Sequence, residues 1–273
     1  MSHRYGDSTV LDAVDLQVSA GELVGLLGAN GAGKTTLIRI LLGLLVPSSG
    51  HVRLFGEAPS RRARGRIGYV PQGLGLYEDL TAAENLEFTR AAFGGRWAVQ
   101  PAALTVPPDV LAGRLPLGLQ RRLAFAAAFA HSPGLYVLDE PTSGVDALAR
   151  THLWDVIRGV ADSGAGVLVT THSMEEAEEC DRLVMLTAGR LVAEGTAADI
   201  IGDSEVVTVA CADWPRALAV LENAGLRAAL VGRSLRVPGG DLVRVRAALA
   251  GTGAIAGLAR ATLEERFVEL TTG

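Results

Sequence analysis

A glycine-rich segment with one lysine constrains the fold of this chain more than any other feature. Residues 28–36 read GANGAGKTT and match the pattern G-x-x-x-x-G-K-S/T. They lie between an apolar run, residues 22–27, and a stretch that has apolar residues at helical spacing from Leu37. A strand, a glycine turn and a helix in this order present backbone N–H groups and a helix N-terminus to phosphate. We call residues 28–36 the phosphate loop.

The residue types of the phosphate loop predict how it holds a triphosphate. Lys34 is the only lysine among 25 basic residues, and a compact ammonium fits beside the β- and γ-phosphates where a guanidinium would not. The hydroxyl of Thr35 is a candidate ligand of Mg²⁺. The residues predicted to contact the nucleotide here are Asn30, Gly31, Ala32, Gly33, Lys34, Thr35 and Thr36.

An apolar run that ends in two carboxylates supplies the second half of the predicted site. Residues 135–140 read LYVLDE, so a buried strand would deliver Asp139 and Glu140 to its C-terminal end, where ligands bind in open α/β sheets. We expect Asp139 to hold Mg²⁺. We expect Glu140 to polarise a water molecule against the γ-phosphate, which makes it a candidate catalytic base.

The pattern of the remaining chain predicts an α/β fold with a mainly parallel sheet, and the phosphate loop makes it a fold of the P-loop NTPase type. Helical segments separate most of the predicted strands, which is typical of a helix-covered parallel sheet. Between residues 82 and 130 apolar residues recur at helical spacing only, so we expect a helical subdomain over about 73–133. The predicted strands cover residues 9–18, 22–27, 52–55, 67–70, 135–138, 167–171 and 183–186.

A change in the order of strand and helix patterns after residue 203 predicts a second domain. Strand and helix patterns then follow in the order β-α-β-β-α-β, which is typical of a small ferredoxin-like domain, and the amphipathic stretch TLEERFVEL comes after it. The sequence therefore predicts domains over residues 1–203 and 204–273. The predicted elements are strand 205–211, helix 214–224, strands 226–231 and 235–237, helix 241–250 and strand 255–259.

Charge and hydropathy exclude several classes of protein. The formal net charge is −5, so no basic excess indicates binding to nucleic acid or to an anionic membrane surface. The longest apolar stretch, residues 37–46, contains Arg39 and is shorter than the roughly 18–20 residues that span a bilayer. The N-terminus has no apolar signal core, and Cys180 and Cys211 follow no metal-ligand spacing. We expect a soluble protein of a reducing compartment.

Further residues, in the expected order along the chain, resemble the nucleotide-binding subunit of ABC transporters from Tyr5 to about Asp203. In that family an aromatic residue stacks on adenine, a glutamine bridges Mg²⁺, the attacking water and the transporter interface, and a histidine contacts the γ-phosphate. A further carboxylate follows the strand that carries the acidic pair. The resemblance implies that ATP and Mg²⁺ bind here and assigns these roles to Tyr5, Gln72, His172 and Asp146.

One motif departs from the family pattern. The sequence L-S-G-G-Q, which contacts a nucleotide held mainly by the opposite subunit, corresponds here to the segment from Leu115 through Gly118, with Pro116 and Leu117 in place of serine and glycine. Pro116 offers neither a hydroxyl nor an N–H group. A similar L-P-L-G variant and a similar tail occur in type 2 exporter ATPases, the group that includes drug and antibiotic efflux pumps. We call residues 115–120 the signature segment.

The resemblance implies an ATP-hydrolysing subunit that powers an ABC-type exporter. It also implies an antiparallel β subdomain beside the mainly parallel sheet and the helical insertion. Its expected partners are a separate transmembrane permease and a second ATP-binding subunit in a homodimer or heterodimer, with no nucleic acid. The expected location is the cytoplasm, on the inner face of the cell membrane. The altered signature segment leaves a regulatory module with little hydrolysis as an alternative. A soluble ABC protein acting on DNA or ribosomes is disfavoured, because such proteins usually carry two nucleotide-binding domains or long insertions.

Overall fold

The computed structural model describes residues 1–94 and 104–272, which form two compact units, Met1–Glu194 and Gly195–Gly273. The helices are α1 (Lys34–Leu41), α2 (Arg61–Arg64), α3 (Ala82–Ala92), α4 (Leu117–Phe129), α5 (Ala147–Asp162), α6 (Met174–Glu178), α7 (Ala197–Ile201), α8 (Trp214–Asn223), α9 (Leu242–Ala248) and α10 (Leu263–Thr272). The strands are β1 (His3–Tyr5), β2 (Ser8–Leu11), β3 (Leu23–Leu27), β4 (Ile67–Val70), β5 (Leu135–Asp139), β6 (Gly166–Thr171), β7 (Arg182–Thr187), β8 (Arg190–Gly195), β9 (Glu205–Ala210), β10 (Ala229–Val231), β11 (Ser234–Val237) and β12 (Ile255–Arg260).

A six-stranded sheet with the order β4-β5-β6-β3-β7-β8 organises the first unit. Strands β4, β5, β6, β3 and β7 pair in parallel, as the alternation of strands and helices predicted. Every residue of β3 and β6 is buried, which explains why these strands read as continuous apolar runs rather than alternating patterns. The mainly parallel α/β fold is confirmed.

One predicted strand is shorter than its sequence pattern and another does not form, because the backbone turns at each of them. Strand β2 ends at Leu11, and Ala13 has a φ of +52°. Residues 52–55 contribute only an isolated bridge between Leu54 and Glu57, since Phe55 has a φ of +54°. L-residues rarely adopt this left-handed conformation, and an extended strand cannot pass through it. The predictions for residues 12–18 and 52–55 were therefore wrong. Strands β1 and β2 form a separate antiparallel pair.

The described part of the predicted helical subdomain contains the helices α3 and α4 and a short 3-10 turn, Ala112–Arg114. The Thr81 side chain accepts a hydrogen bond from the backbone N–H of Glu84, whose carboxylate accepts one in return, so α3 begins with a capping box. The apolar side chains of Leu115 and Leu123 are buried between these helices. Residues 95–103, which the prediction of 73–133 includes, lie outside the described residues. No helix within the described ranges is both long and apolar enough to cross a membrane.

The second unit contains the predicted β-α-β-β-α-β arrangement. Its antiparallel sheet has the order β10-β11-β9-β12, and the helices between the strands, α8 and α9, cover a core that includes Val207 and Leu235. Helix α7 belongs to this unit, because the Arg266 side chain of α10 donates a hydrogen bond to the carbonyl of Ile200 at 3.2 Å. The division between the units therefore precedes α7, whereas the sequence-based boundary at residue 203 follows it.

Candidate functional site

Four neighbouring parallel strands bring the predicted site residues to one edge of the large sheet. The phosphate loop follows β3, Asp139 ends β5 and Glu140 comes next. Gln72 and His172 follow β4 and β6 closely. Because β4, β5, β6 and β3 are adjacent and parallel, their carboxyl ends meet. The edge therefore collects groups from four separate parts of the chain.

Close backbone packing at the phosphate loop explains why glycine is required at two positions. A Cβ atom on Gly28 would lie 2.6 Å from the carbonyl oxygen of Leu186. Gly33 has a φ of +110°, and a Cβ atom there would lie 2.7 Å from a methyl group of Leu11. Gly33 precedes α1 and has no side chain to cap it, so the N–H groups of the first turn remain free to bind an anion.

The Lys34 ammonium lies folded against the phosphate loop. It is buried and donates hydrogen bonds to the carbonyl oxygens of Gly28 and Ala29, the second at 3.3 Å. Burial lowers the pKa of Lys34, and the charges of Glu140 and Asp139 oppose this shift. The ammonium thus lies in a poorly solvated position, where charged phosphate oxygens would form stronger hydrogen bonds with it than carbonyl oxygens do.

Glu140 lies at the centre of the polar groups along this edge. The side-chain amide of Gln72 donates a hydrogen bond to its Oε2 at 3.2 Å, and Nδ1 of His172 lies 3.7 Å from the same oxygen. The backbone of Glu140 is left-handed, with a φ of +48°. Such a conformation costs a non-glycine residue about 1–3 kcal/mol and is typical of functional sites. The structure therefore brings three of the predicted catalytic residues together.

The hydroxyl of Thr170 connects the two carboxylates of the site. It donates a hydrogen bond to Oδ1 of the buried Asp139 at 2.6 Å and accepts one from the backbone N–H of Glu140 at 2.9 Å. The carbonyl oxygen of Thr170 also accepts from this N–H, at 3.2 Å. One residue of β6 thus holds both Asp139 and the strained backbone of Glu140 in place.

Replacing Thr170 by valine is expected to lower the free energy of unfolding by about 2 kcal/mol, because the buried carboxylate of Asp139 loses a donor. The shape and strand propensity of the side chain are preserved. Urea denaturation of the Thr170→Val and Thr170→Ser variants measures the effect. Serine keeps the hydroxyl and should lose only about 1 kcal/mol with the methyl group. Equal stability of the two variants would contradict the assigned role of the hydroxyl.

The signature segment lies at the start of α4. Leu115 is buried in the core of the helical subdomain, so its side chain does not face solvent. Pro116 precedes the helix, and its carbonyl accepts hydrogen bonds from later N–H groups at 2.9 and 3.0 Å. Within the described residues, neither Leu115 nor Gly118 has a hydrogen bond to the edge that carries Glu140. The N–H groups of Leu117 and Gly118 are the first of an uncapped helix.

Two further predicted residues lie on the surface. Tyr5 is 46% exposed, and its ring contacts that of His3 edge to face at a centroid distance of 4.8 Å. Asp146 caps α5, since its carboxylate accepts a hydrogen bond from the backbone N–H of Ala149 at 2.9 Å, and this bond lowers its pKa. Tyr5 thus presents an aromatic ring that a base could cover, and Asp146 has a visible structural role in addition to its predicted one.

The sequence analysis missed a buried polar cluster behind Glu140 and His172. The carboxylate of Glu176 accepts hydrogen bonds from the hydroxyls of Thr142 and Thr171, at 2.5 and 2.6 Å. Glu176 stands within a run of acidic residues, MEEAEE, so the sequence does not distinguish it from its exposed neighbours. Two adjacent threonines at the end of the apolar strand VLVTT were the only available signal.

Comparison with known proteins gives a consistent result. Residues 11–143 match the family model described as ABC transporter. The Nod factor export ATP-binding protein I of Burkholderia thailandensis is 38% identical over 98% of this chain and 94% of its own length. The probable multidrug ABC transporter ATP-binding protein YbhF of Escherichia coli is 39% identical over 75% of this chain. The chain spans only 37% of the length of that relative.

Solved structures agree with the fold. An ATP-binding subunit of an ABC transporter is 32% identical, with a TM-score of 0.65 over 73% of this chain and 88% of that structure. A dimeric bacterial ABC transporter cassette is 23% identical, with a TM-score of 0.62 over 71% of this chain and 94% of that structure. The second likeness concerns the fold alone.

Proposed function

Because the chain belongs to the ABC transporter family, we propose that it binds and hydrolyses ATP to power an exporter. The observation that carries the proposal is the shared edge at which the phosphate loop, Asp139 and Glu140 meet Gln72 and His172. Phosphoryl transfer to water needs a triphosphate cradle, charge neutralisation and a positioned water molecule. The edge offers groups suited to each requirement.

The proposed roles follow from where each group lies. The free N–H groups at the start of α1 and the Lys34 ammonium would bind the phosphates, and Tyr5 would stack on the adenine. Glu140 would accept a proton from the attacking water. Gln72 would orient that water and His172 would contact the γ-phosphate, since both lie beside Oε2 of Glu140.

The oxygen donors at the edge fit a magnesium ion bound together with the nucleotide. Mg²⁺ usually keeps several water ligands and is bound through one or two carboxylates together with phosphate oxygens of the substrate. Asp139 would supply a carboxylate oxygen, Thr35 a hydroxyl oxygen and Gln72 an amide oxygen. The described residues contain no group of three or more acidic, histidine or cysteine side chains that could hold a metal ion by themselves. When bound, the ion would neutralise negative charge on the phosphates.

A second ATP-binding subunit would complete the site. Its signature segment would cover the nucleotide, with the uncapped N–H groups of Leu117 and Gly118 replacing the contact that serine makes in the family pattern. The Asp146 loop would also lie near this interface. ATP would favour the closed dimer by binding it more tightly than the open state, and hydrolysis would remove that preference.

We also propose that the chain works with a separate transmembrane permease on the inner face of the cell membrane. The names of its relatives, which concern multidrug and Nod factor export, support export as the direction of transport. The exposed aromatic pair Tyr77 and Phe88 lies next to the segment that carries Gln72 and supports this as the face that receives the permease.

The experiment that tests the function measures Mg²⁺-dependent ATP hydrolysis by the full chain over a range of protein concentrations. The rate per chain should rise with concentration, because each nucleotide needs two subunits, and addition of EDTA should abolish it. The same assay should be repeated after co-purification with a membrane protein encoded by a neighbouring reading frame. Tight ATP binding without hydrolysis under every condition would instead support the regulatory alternative that Pro116 raises.

A further inference from the structure

The buried carboxylate of Glu176 links the two chain segments that carry Glu140 and His172. Thr142, which lies two residues after Glu140, donates its hydroxyl to Oε1 of Glu176. Thr171, which directly precedes His172, donates its hydroxyl to Oε2 at 2.6 Å. Each oxygen of one carboxylate therefore holds one of these segments.

The side chains of this hydrogen-bonded cluster are buried, and each threonine hydroxyl has a defined partner. Glu176, Thr142 and Thr171 are each less than 10% exposed. The oxygen of Thr171 also accepts a hydrogen bond from the backbone N–H of Ser173 at 3.0 Å, which leaves the hydroxyl proton available for the bond to Glu176. A buried carboxylate is stable only when such donors surround it, which ties the position of both threonines to its presence.

We propose that Glu176 is a positioning residue for ATP hydrolysis, which sets the placement of Glu140 relative to His172. This inference rests on the proposed function of the same site. Among the described residues, Glu176 has no side-chain hydrogen bond to Glu140 or His172, so it acts through Thr142 and Thr171. Without Glu176, the segment after Glu140 and the segment before His172 are no longer bound to one carboxylate. The 3.7 Å separation between Oε2 of Glu140 and Nδ1 of His172 is then no longer fixed.

The test compares Glu176→Ala and Glu176→Gln with Glu178→Gln, a matched change at an exposed position of the same helix. Steady-state kinetics of the full chain give kcat and KM for ATP. The alanine variant should lose about 10- to 100-fold in kcat, since small misplacements of reacting groups have effects of this size. Its KM should change by less than about twofold, because the phosphate loop is unaffected.

The glutamine variant keeps the test informative where alanine prevents folding. Its carbonyl oxygen can still accept from Thr171, while its amide would face Thr142, whose hydroxyl has to reverse and act as acceptor. We expect a loss of roughly threefold in kcat, intermediate between wild type and alanine. The control Glu178→Gln should match wild type.

A double-variant comparison separates positioning from a general loss of structure. Thr142→Val should lower kcat in the wild-type background but have no further effect in Glu176→Ala, because the same link is already broken. The inference would be overturned by additive effects of Thr142→Val and Glu176→Ala on kcat. It would also be overturned if the kcat of Glu176→Ala equalled that of Glu178→Gln, or if Glu176→Ala lost kcat and ATP affinity in parallel.

The proposed function and the inference fail in different ways. If the wild type shows no ATP hydrolysis that is lost on replacing Lys34, the proposed function and the inference are both contradicted. Lys34-dependent hydrolysis by the wild type, with an unchanged kcat in Glu176→Ala, would contradict the inference alone.

Discussion

Replacing Glu140 by glutamine is expected to reduce ATP turnover by roughly 10²- to 10⁴-fold while ATP binding remains intact, because an amide cannot accept the proton of the attacking water. Glutamine has the same shape, so the contacts of Gln72 and His172 with this side chain can persist in altered form. ATP would then hold the two subunits together without being consumed. Light scattering in the presence of Mg-ATP should detect a stable dimer of the variant, whereas the wild-type dimer should be transient.

The control for Glu140→Gln is Glu178→Gln, which removes the same charge at an exposed position of α6. That variant should hydrolyse ATP at the wild-type rate. Hydrolysis by Glu140→Gln at the wild-type rate would remove Glu140 from the role of base. Loss of ATP binding in this variant would indicate that the carboxylate is needed for the local fold instead.

Replacing Lys34 by alanine is expected to weaken ATP binding by roughly 10- to 100-fold, the effect of losing charged hydrogen bonds to phosphate. Thermal unfolding provides a direct measurement, since a ligand that binds only the folded state raises the melting temperature. The wild type should be stabilised by millimolar Mg-ATP, and the variant should show a much smaller shift. Hydrolysis should fall with binding.

The unliganded stability of Lys34→Ala distinguishes a loss of binding from a loss of folding. Burial lowers the pKa of Lys34, so the folded protein without nucleotide gains little from keeping this charge in place. The melting temperature of Lys34→Ala without ATP should therefore stay close to that of the wild type. The matched variant Lys34→Arg keeps the charge but not the compact shape and should also bind poorly. Wild-type affinity in either variant would contradict the assigned role of Lys34.

Much of the parallel sheet could be predicted because its strands are buried on both faces. Continuous apolar runs such as 135–138 and 167–171 report this burial directly, and the glycine turn after residue 27 marks the position of the site. Shorter strands depend on information that hydropathy lacks. Residues 52–55 contain residue types that are common in strands, yet the backbone of Phe55 is left-handed and the chain turns there. Strand β8, which alternates between exposed and half-buried residues, was not predicted.

In the candidate site too, residues of one sequence motif could be predicted, whereas residues that interact with distant parts of the chain could not. Gly33, Lys34 and Thr35 belong to one motif, so their spacing alone predicts a phosphate cradle. Thr170 and Glu176 act through hydrogen bonds to residues far away in the sequence, and only the sheet order brings these partners together. Beyond the two threonines that end the strand VLVTT, hydropathy and spacing do not identify the distant partners of these polar contacts.

The left-handed backbone of Glu140 has a consequence for how this chain could evolve. Glycine at position 140 would relieve the conformational strain, so selection for thermal robustness alone would favour losing the carboxylate. A chain that merely sensed nucleotide would have no use for an acidic group held in so unfavourable a conformation. Stability and the role in turnover that we propose for Glu140 therefore impose opposite demands at this position.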